Sequence, residues 1–208
     1  MVGATALFME SKMKKVILAS ALSLSMSAVQ AGESINWNSA SLFYQAVDVL
    51  GDKLDGYGFT GSNLLSKNFF VAGSYSTVSF NYTPYGYNSS EVELDLNTMS
   101  LGVGYRYAFS RDTDLFSVVS YQGVEVERLF RNNYQDENGY GFQAGFRSLV
   151  SKNIELGGSI SYVNIAKESE TGFDISAMYR ITKHFSLAVG YGKSEDVDTL
   201  SLSTVFFF

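Results

Sequence analysis

The sequence predicts an all-β fold: a transmembrane antiparallel up-and-down β-barrel. Three observations carry this prediction: an alternating C-terminal segment, a repeated turn-and-strand unit, and rows of apolar residues that would face outwards. The C-terminal segment, residues 199–208, alternates polar and apolar residues as a strand with two different faces does. The residues on its more apolar face are Leu200, Leu202, Thr204, Phe206 and Phe208. A closing barrel strand explains this pattern, because pairing with the first strand leaves no free sheet edge.

A short polar turn followed by an alternating strand recurs four times. The units that begin at Ser66, Ser151 and Thr182 resemble one another, and the unit at Arg111 is a looser copy. Four such turns predict four hairpin bends at one end of a barrel, with longer and more acidic connections at the other end. We expect ten strands, at residues 40–49, 55–65, 69–82, 94–109, 115–127, 139–149, 154–166, 172–181, 185–193 and 199–208. If the poorly alternating residues 39–65 do not form a hairpin, the count falls to eight.

The alternation also predicts which side chains face outwards. In the ninth expected strand, Phe185, Leu187, Val189 and Tyr191 share one face, and small Ser, Ala and Gly residues occupy the other. The fourth and sixth strands likewise place aromatic rows opposite Ser, Gly, Gln and Arg. A soluble barrel with these rows outside would expose large apolar patches to water, so the pattern favours contact with lipid.

The N-terminal residues indicate a leader that is removed before folding. Met13, Lys14 and Lys15 open a basic segment, and the apolar residues 16–27 that follow are too short to span a bilayer. Small residues then precede a cleavage point between Ala31 and Gly32. We therefore predict that residues 1–12 reflect a misassigned start, that residues 13–31 are a secretory signal peptide, and that residues 32–208 form one barrel domain.

The composition excludes several classes of site. The chain has no cysteine, so neither a disulfide framework nor a thiolate metal site can form. It has 21 acidic and 15 basic residues, a formal net charge of −6, which argues against nucleic acid as a partner. No motif indicates a cofactor or a metal ion, and we expect none.

The leader, the alternating strands, the short turns and the terminal Phe208 together resemble the small outer-membrane β-barrel family that includes the OmpA and OmpX barrels. The resemblance implies location in the bacterial outer membrane, export through the general secretory pathway, and contact with outer-membrane lipid and lipopolysaccharide. It implies that Phe208 is an assembly signal for the barrel-assembly machinery, and we expect a monomer. Members of this family serve as structural proteins, adhesins or narrow pores, so the resemblance limits the function without choosing it.

Catalysis is the least favoured function. Enzymes on this fold use a His together with Asp, Ser or Asn, and a Ser nucleophile needs an adjacent base. The only histidine is His184, in the predicted turn 182–184, which contains no carboxylate.

Charged residues at inward positions form the candidate site. Arg106, Arg147 and Arg180 lie at the turn ends of the fourth, sixth and eighth expected strands, and Glu155 lies between the last two. Asp174 points inwards further along the eighth strand. In a low-dielectric lumen such charges should be paired. The cluster therefore predicts either a plug of salt bridges or a basic constriction that filters solutes.

These observations favour a non-catalytic outer-membrane barrel with a structural or surface-interaction role. The alternative is a narrow, non-specific diffusion pore. Because acidic residues such as Glu91, Glu93 and Asp136 are concentrated in the expected outer connections, such a pore would prefer cations.

Overall fold

The computed structural model describes residues 31–32, 34–49, 51–82, 92–128, 135–195 and 197–208. All of the predicted leader except Ala31 lies outside the described residues. Within these ranges, no helix is both long enough and apolar enough to cross a membrane.

Ten antiparallel strands close into one barrel, which confirms the predicted fold class. Two short strands, β1 and β2, precede them and pair with each other. The strand bounds are Ala31–Gly32 (β1), Ser34–Ile35 (β2), Ser39–Val49 (β3), Asp52–Leu64 (β4), Phe69–Tyr82 (β5), Val92–Ala108 (β6), Thr113–Arg128 (β7), Gln135–Leu149 (β8), Ile154–Ile165 (β9), Glu168–Arg180 (β10), Phe185–Ser194 (β11) and Val197–Phe207 (β12).

The barrel closes between its last strand and its first long strand. β12 pairs with β3 from Val197 opposite Val49 to Phe207 opposite Ser39. Every other neighbour in the barrel is also a neighbour in sequence, as in an up-and-down barrel. β3 and β4 form a complete hairpin, from Val49 opposite Asp52 to Ser39 opposite Ser62. The poorly alternating first segment is therefore a strand pair, and the count is ten.

Four-residue turns define one end of the barrel, which we call the turn end. They lie at residues 65–68, 109–112, 150–153 and 181–184. Each reaches the next strand in the same way: the backbone carbonyls of Asn68, Asp112, Asn153 and His184 accept hydrogen bonds from backbone N–H groups of β6, β8, β10 and β12. One turn design, repeated four times, thus aligns successive hairpins.

The opposite end, which we call the loop end, has three connections that are shorter than the sequence predicts. β9 and β10 are joined by Ala166 and Lys167 alone, both with positive φ of 53° and 69°. β3 and β4, and β11 and β12, are also separated by two residues. The prediction of longer connections at this end is wrong for these three hairpins. Residues 83–91 and 129–134, which join the remaining two, lie outside the described residues.

Side chains divide between a lipid-type exterior and a packed interior, as the alternation predicts. The exterior carries exposed aromatic and aliphatic residues, including Leu101, Val103 and Tyr105 on β6 and Leu187 and Val189 on β11. The interior consists of three layers. Apolar side chains fill the loop end, hydroxyl and carboxamide groups line the middle, and aromatic and charged groups fill the turn end.

Candidate functional site: the filled lumen

Glu155 lies between two arginines at the turn end of the lumen. Its Oε1 accepts a hydrogen bond from Arg147 Nε at 2.9 Å, and its Oε2 accepts one from Arg180 Nη2 at 2.9 Å. All three side chains are at most 10% exposed, and Glu155 is 3% exposed. β8, β9 and β10 are adjacent strands, so their alternation alone brings these three residues together. A single carboxylate thus accepts charge-assisted hydrogen bonds from two guanidinium groups, and its removal would leave both groups buried without this partner.

A second carboxylate extends this cluster. Asp114 on β7 lies opposite Arg147 in the β7–β8 register, and its Oδ2 lies 3.5 Å from Arg106 Nη1. Five successive strands, β6 to β10, therefore present alternating charges to the lumen. In strand order these residues are Arg106, Asp114, Arg147, Glu155 and Arg180. Sequence reasoning missed Asp114 because it began the corresponding strand at residue 115, which left Asp114 in a turn.

The segment before the first long strand enters the barrel and contacts this charged arc. Trp37 Nε1 donates a hydrogen bond to Asp114 Oδ2 at 2.9 Å. Arg106 and Arg147 donate to the backbone carbonyls of Ile35 and Asn36, at 3.3 and 3.2 Å. The opposite wall also contributes, because Ser62 Oγ donates to the carbonyl of Trp37, and the backbone N–H of Leu64 donates to Asn38 Oδ1. We call residues 35–38 the plug segment.

The Trp37 ring is the packed centre of this plug. Its centroid lies 4.3 Å from that of Phe70 and 5.5 Å from that of Phe116, and the Arg147 guanidinium lies over it at 4.5 Å. A Cβ on Gly104 would lie 2.1 Å from Phe70 Cζ, so this glycine provides the space that Phe70 needs. Trp37 is 4% exposed. A side chain at the wall of an open aqueous channel would be far more accessible, so the turn end of the lumen is filled.

Sequence reasoning missed Trp37 because it lies outside the alternating strands. The sequence did offer one indication: Trp37 is the only tryptophan of the chain and lies just before the first barrel strand. Aromatic side chains bury large areas, and Trp usually finds a hydrogen-bond partner for its N–H when buried.

Asp174 lies apart from the charged arc. It is on the same strand as Arg180 but six residues away, which is about 20 Å along an extended strand. Its carboxylate is 4% exposed and is hydrogen-bonded to Ser159. A Cβ on Gly192 of the neighbouring strand would lie 2.6 Å from Asp174 Oδ1. Asp174 therefore belongs to the middle layer, and the structure does not bring it together with the three arginines.

A separate apolar layer fills the loop end. Nine buried side chains from six strands form one cluster and are at most 4% exposed, with Leu54 packed against them. They are Val47, Val49, Val78, Leu96, Val124, Val126, Val163, Ile165 and Val197. Their inward-facing side chains meet across the lumen and form one packed apolar layer among the described residues of the loop end.

The single histidine of the chain, His184, has a structural contact in the turn 181–184. His184 Nδ1 lies 3.1 Å from the carbonyl oxygen of Phe207. Asn68 and Asn153 occupy the equivalent position in two other turns, and their side chains donate to the carbonyls of Arg106 and Arg180 at 2.9 Å each. His184 is therefore the counterpart of a turn asparagine, with a structural contact to the next strand.

Comparisons with known proteins agree with this architecture. Residues 16–171 match the family model described as outer membrane protein beta-barrel domain. No curated protein matches the chain.

Solved structures of similar fold include two porins and an autotransporter domain. The KdgM porin in complex with disordered oligogalacturonate is 12% identical, with a TM-score of 0.50, and the match covers 82% of this chain and 99% of that one. The NanC porin is 8% identical, with a TM-score of 0.50 and coverage of 80% and 99%. The translocator domain of the autotransporter NalP from Neisseria meningitidis is 10% identical, with a TM-score of 0.52 and coverage of 98% of both chains. At these identities the likeness concerns the fold alone.

The closed ten-stranded barrel and the family match over more than half of the chain show that this protein belongs to the outer-membrane β-barrel family, whose members lie in the bacterial outer membrane.

Proposed function

We propose that this protein is a non-catalytic outer-membrane barrel with a closed lumen and a structural or surface-interaction role. The observation that carries the proposal is the double closure of the lumen. The plug segment and the charged arc fill the turn end, and nine apolar side chains at most 4% exposed fill the loop end. Hydrophobic constrictions block ion flow because water is expelled from them, and the apolar cluster at the loop end supports such a constriction here.

Single-channel recording in planar bilayers tests this proposal. We expect no stepwise conductance from the wild-type protein at any salt concentration. The inserted fraction should be verified in the same preparation by its altered gel mobility without heating, because a closed barrel resists unfolding in detergent. Regular conductance steps that scale with the amount of inserted protein would reject the closed lumen.

The second candidate function is a narrow pore, and the middle layer is the observation that favours it. There the wall carries small hydroxyl groups such as Ser74, Ser100 and Ser120, with space between them. The porins among the similar folds are consistent with this candidate. Conduction would require both ends to open. The pore would then pass the charged arc, whose three arginines outnumber its two carboxylates, so the cation preference expected from the outer acidic residues would be opposed at this point.

Catalysis has no support in the arrangement of side chains. His184 contacts a backbone carbonyl at the turn end, and its ring stacks on Phe206, with centroids 6.3 Å apart. We therefore propose that the chain is not an enzyme.

We further propose that residues 13–31 direct export through the general secretory pathway and that the monomeric barrel is bounded by outer-membrane lipid and lipopolysaccharide. Exposed apolar side chains lie on both flanks of the closure, at Leu42 and Tyr44 of β3 and at Leu200 and Leu202 of β12. This belt, continuous across the closing strand pair, fits a barrel surrounded by lipid.

The proposed assembly signal, Phe208, can be tested by deletion. Phe208 is 53% exposed and lies just beyond β12, and its backbone N–H donates to the carbonyl of Asn38 at 3.4 Å. We expect its deletion to reduce the yield of assembled barrel in cells, because the recognition end is lost. The heat stability of barrel refolded in detergent should stay unchanged. Normal assembly in cells would show that Phe208 is not the signal, and Phe206→Leu, a change on the same outer face, is the matched control.

A further inference from the structure

A cavity of about 110 Å³ lies in the lumen between the plug segment and the apolar layer. This space is sufficient for roughly seven to eleven water-sized spheres. Glycines help to create it: a Cβ on Gly141 would lie 2.8 Å from Ser120 Oγ and 2.9 Å from Gln122 Nε2. Both side chains line the cavity.

Two buried polar atoms in the cavity wall have no hydrogen-bond partner within the protein. They are the carbonyl oxygen of Gln122, a residue 4% exposed, and the hydroxyl of Ser161, a residue 6% exposed. One terminal atom of the Gln122 amide is engaged by Ser120 Oγ at 2.7 Å and by Ser100 Oγ at 3.1 Å. Because a hydroxyl can donate or accept, either orientation of the amide leaves its other terminal atom without a partner. A buried polar atom without a partner destabilises the protein, so these two atoms indicate a polar occupant.

The lining indicates the chemistry of this occupant. The walls supply hydroxyl and carboxamide groups, which can both donate and accept hydrogen bonds. The rings of Trp37, Phe70 and Phe116 form an apolar surface at the turn end. The charged residues in the lining, Arg147 and Glu155, are bonded to each other, and Glu155 also accepts from Arg180, so the carboxylate is already engaged within the protein. A neutral molecule with several hydroxyl groups and a C–H face satisfies all three features.

We propose that this cavity is a binding site for one small neutral polyhydroxylated molecule of monosaccharide size. Its hydroxyl groups pair with Gln122 and Ser161, and its C–H face lies against the aromatic rings of the plug. The proposed binding site depends on the cavity and the plug segment but not on whether the barrel conducts ions. Failure of this site would therefore leave the proposed structural role unaffected. Trp37 lines the cavity and is the only tryptophan, so its fluorescence reports on the occupant directly.

The test is a fluorescence titration of the barrel in detergent micelles with D-xylose, performed both by incubating the folded protein and by refolding it in the presence of the sugar. Refolding removes any barrier to entry. The disaccharide trehalose is the size control, since it matches the solvent effect of a sugar but has about twice the volume of the monosaccharide that we propose as the occupant. We expect a saturable change in Trp37 emission with xylose and none with trehalose.

Two variants assign the response to the site. Gln122→Leu keeps the side-chain size but removes the carbonyl and the amide, and should weaken xylose binding roughly tenfold. Thr98→Val removes a buried hydroxyl that pairs with Ser76 outside the cavity lining, and should bind xylose as the wild type does. The absence of a saturable xylose response in both protocols, or an equal response with trehalose or in Gln122→Leu, would overturn the proposal and leave water as the occupant.

Discussion

Replacing Glu155 with Gln should destabilise the folded barrel by about 3–5 kcal/mol, because it removes one partner of a buried ion network. The carboxylate is 3% exposed and accepts charged hydrogen bonds from Arg147 and Arg180, both at 2.9 Å. A neutral Gln has nearly the same shape, so the packing is kept while the charge is lost. Two buried arginines then lack their counter-ion on β9.

The measurement is the urea concentration at which half of the protein loses its folded gel mobility, converted to a free energy of unfolding. Glu137→Gln, at an exposed carboxylate near the loop end, is the control and should change stability little. Adding Arg180→Met to Glu155→Gln should restore part of the loss, because one unpaired cation disappears. Wild-type stability of Glu155→Gln would show that water in the lumen screens the arginines and that the ion network does not stabilise the barrel.

Trp37→Ala should have a comparable effect, a loss of about 3–5 kcal/mol, from the cavity it leaves. The indole packs on Phe70 and Phe116, lies under the Arg147 guanidinium and donates to Asp114. Its removal leaves Asp114 without one donor and the plug without its centre. The backbone carbonyls of residues 35 and 36 would still accept from the arginines, but the segment would lose its apolar anchor.

The same urea titration, followed by gel mobility because the only tryptophan is absent, measures this change. Trp37→Phe is the matched variant: it keeps an aromatic ring but cannot donate to Asp114, and we expect a loss of about 1–3 kcal/mol. If Trp37→Ala is as stable as the wild type, the plug segment does not contribute to the closed state.

Strand positions could be predicted from the sequence because each barrel strand has two chemically different faces. On β11, the alternation of Phe185, Leu187 and Val189 with Ser186 and Ala188 is the same whether the chain is read or the structure is inspected. A slip of one residue would exchange lipid and lumen faces, so register and facing are strongly specified together. The Glu155 pairing could be predicted for the same reason, since it depends on strand order, on parity and on the position of all three residues at the turn ends of their strands.

The interior closure could not be predicted in full, because it depends on contacts without a period. Trp37 reaches Asp114 over a sequence separation of 77 residues, from a segment that has no alternation. The apolar layer was hidden for another reason. Val47, Val124 and Val163 follow the polar inward residues Gln45, Gln122 and Ser161, and each begins a pair of apolar inward residues near the end of its strand. Only closure of the barrel brings these pairs together. The sequence correctly predicts that Asp174 faces the lumen, but grouping it with the arginines is wrong. Its position six residues from Arg180 along β10 separates it from them.

Single-channel recording of Trp37→Ala beside the wild type tests the central claim, a lumen closed independently at both ends, most directly. We predict that neither protein gives conductance steps, because the apolar layer of Val47, Leu96, Val124 and their neighbours still closes the loop end when the plug is damaged. Folded, inserted protein in both samples must first be shown by unheated gel mobility. Discrete ion-conducting steps from the wild-type barrel would contradict the account.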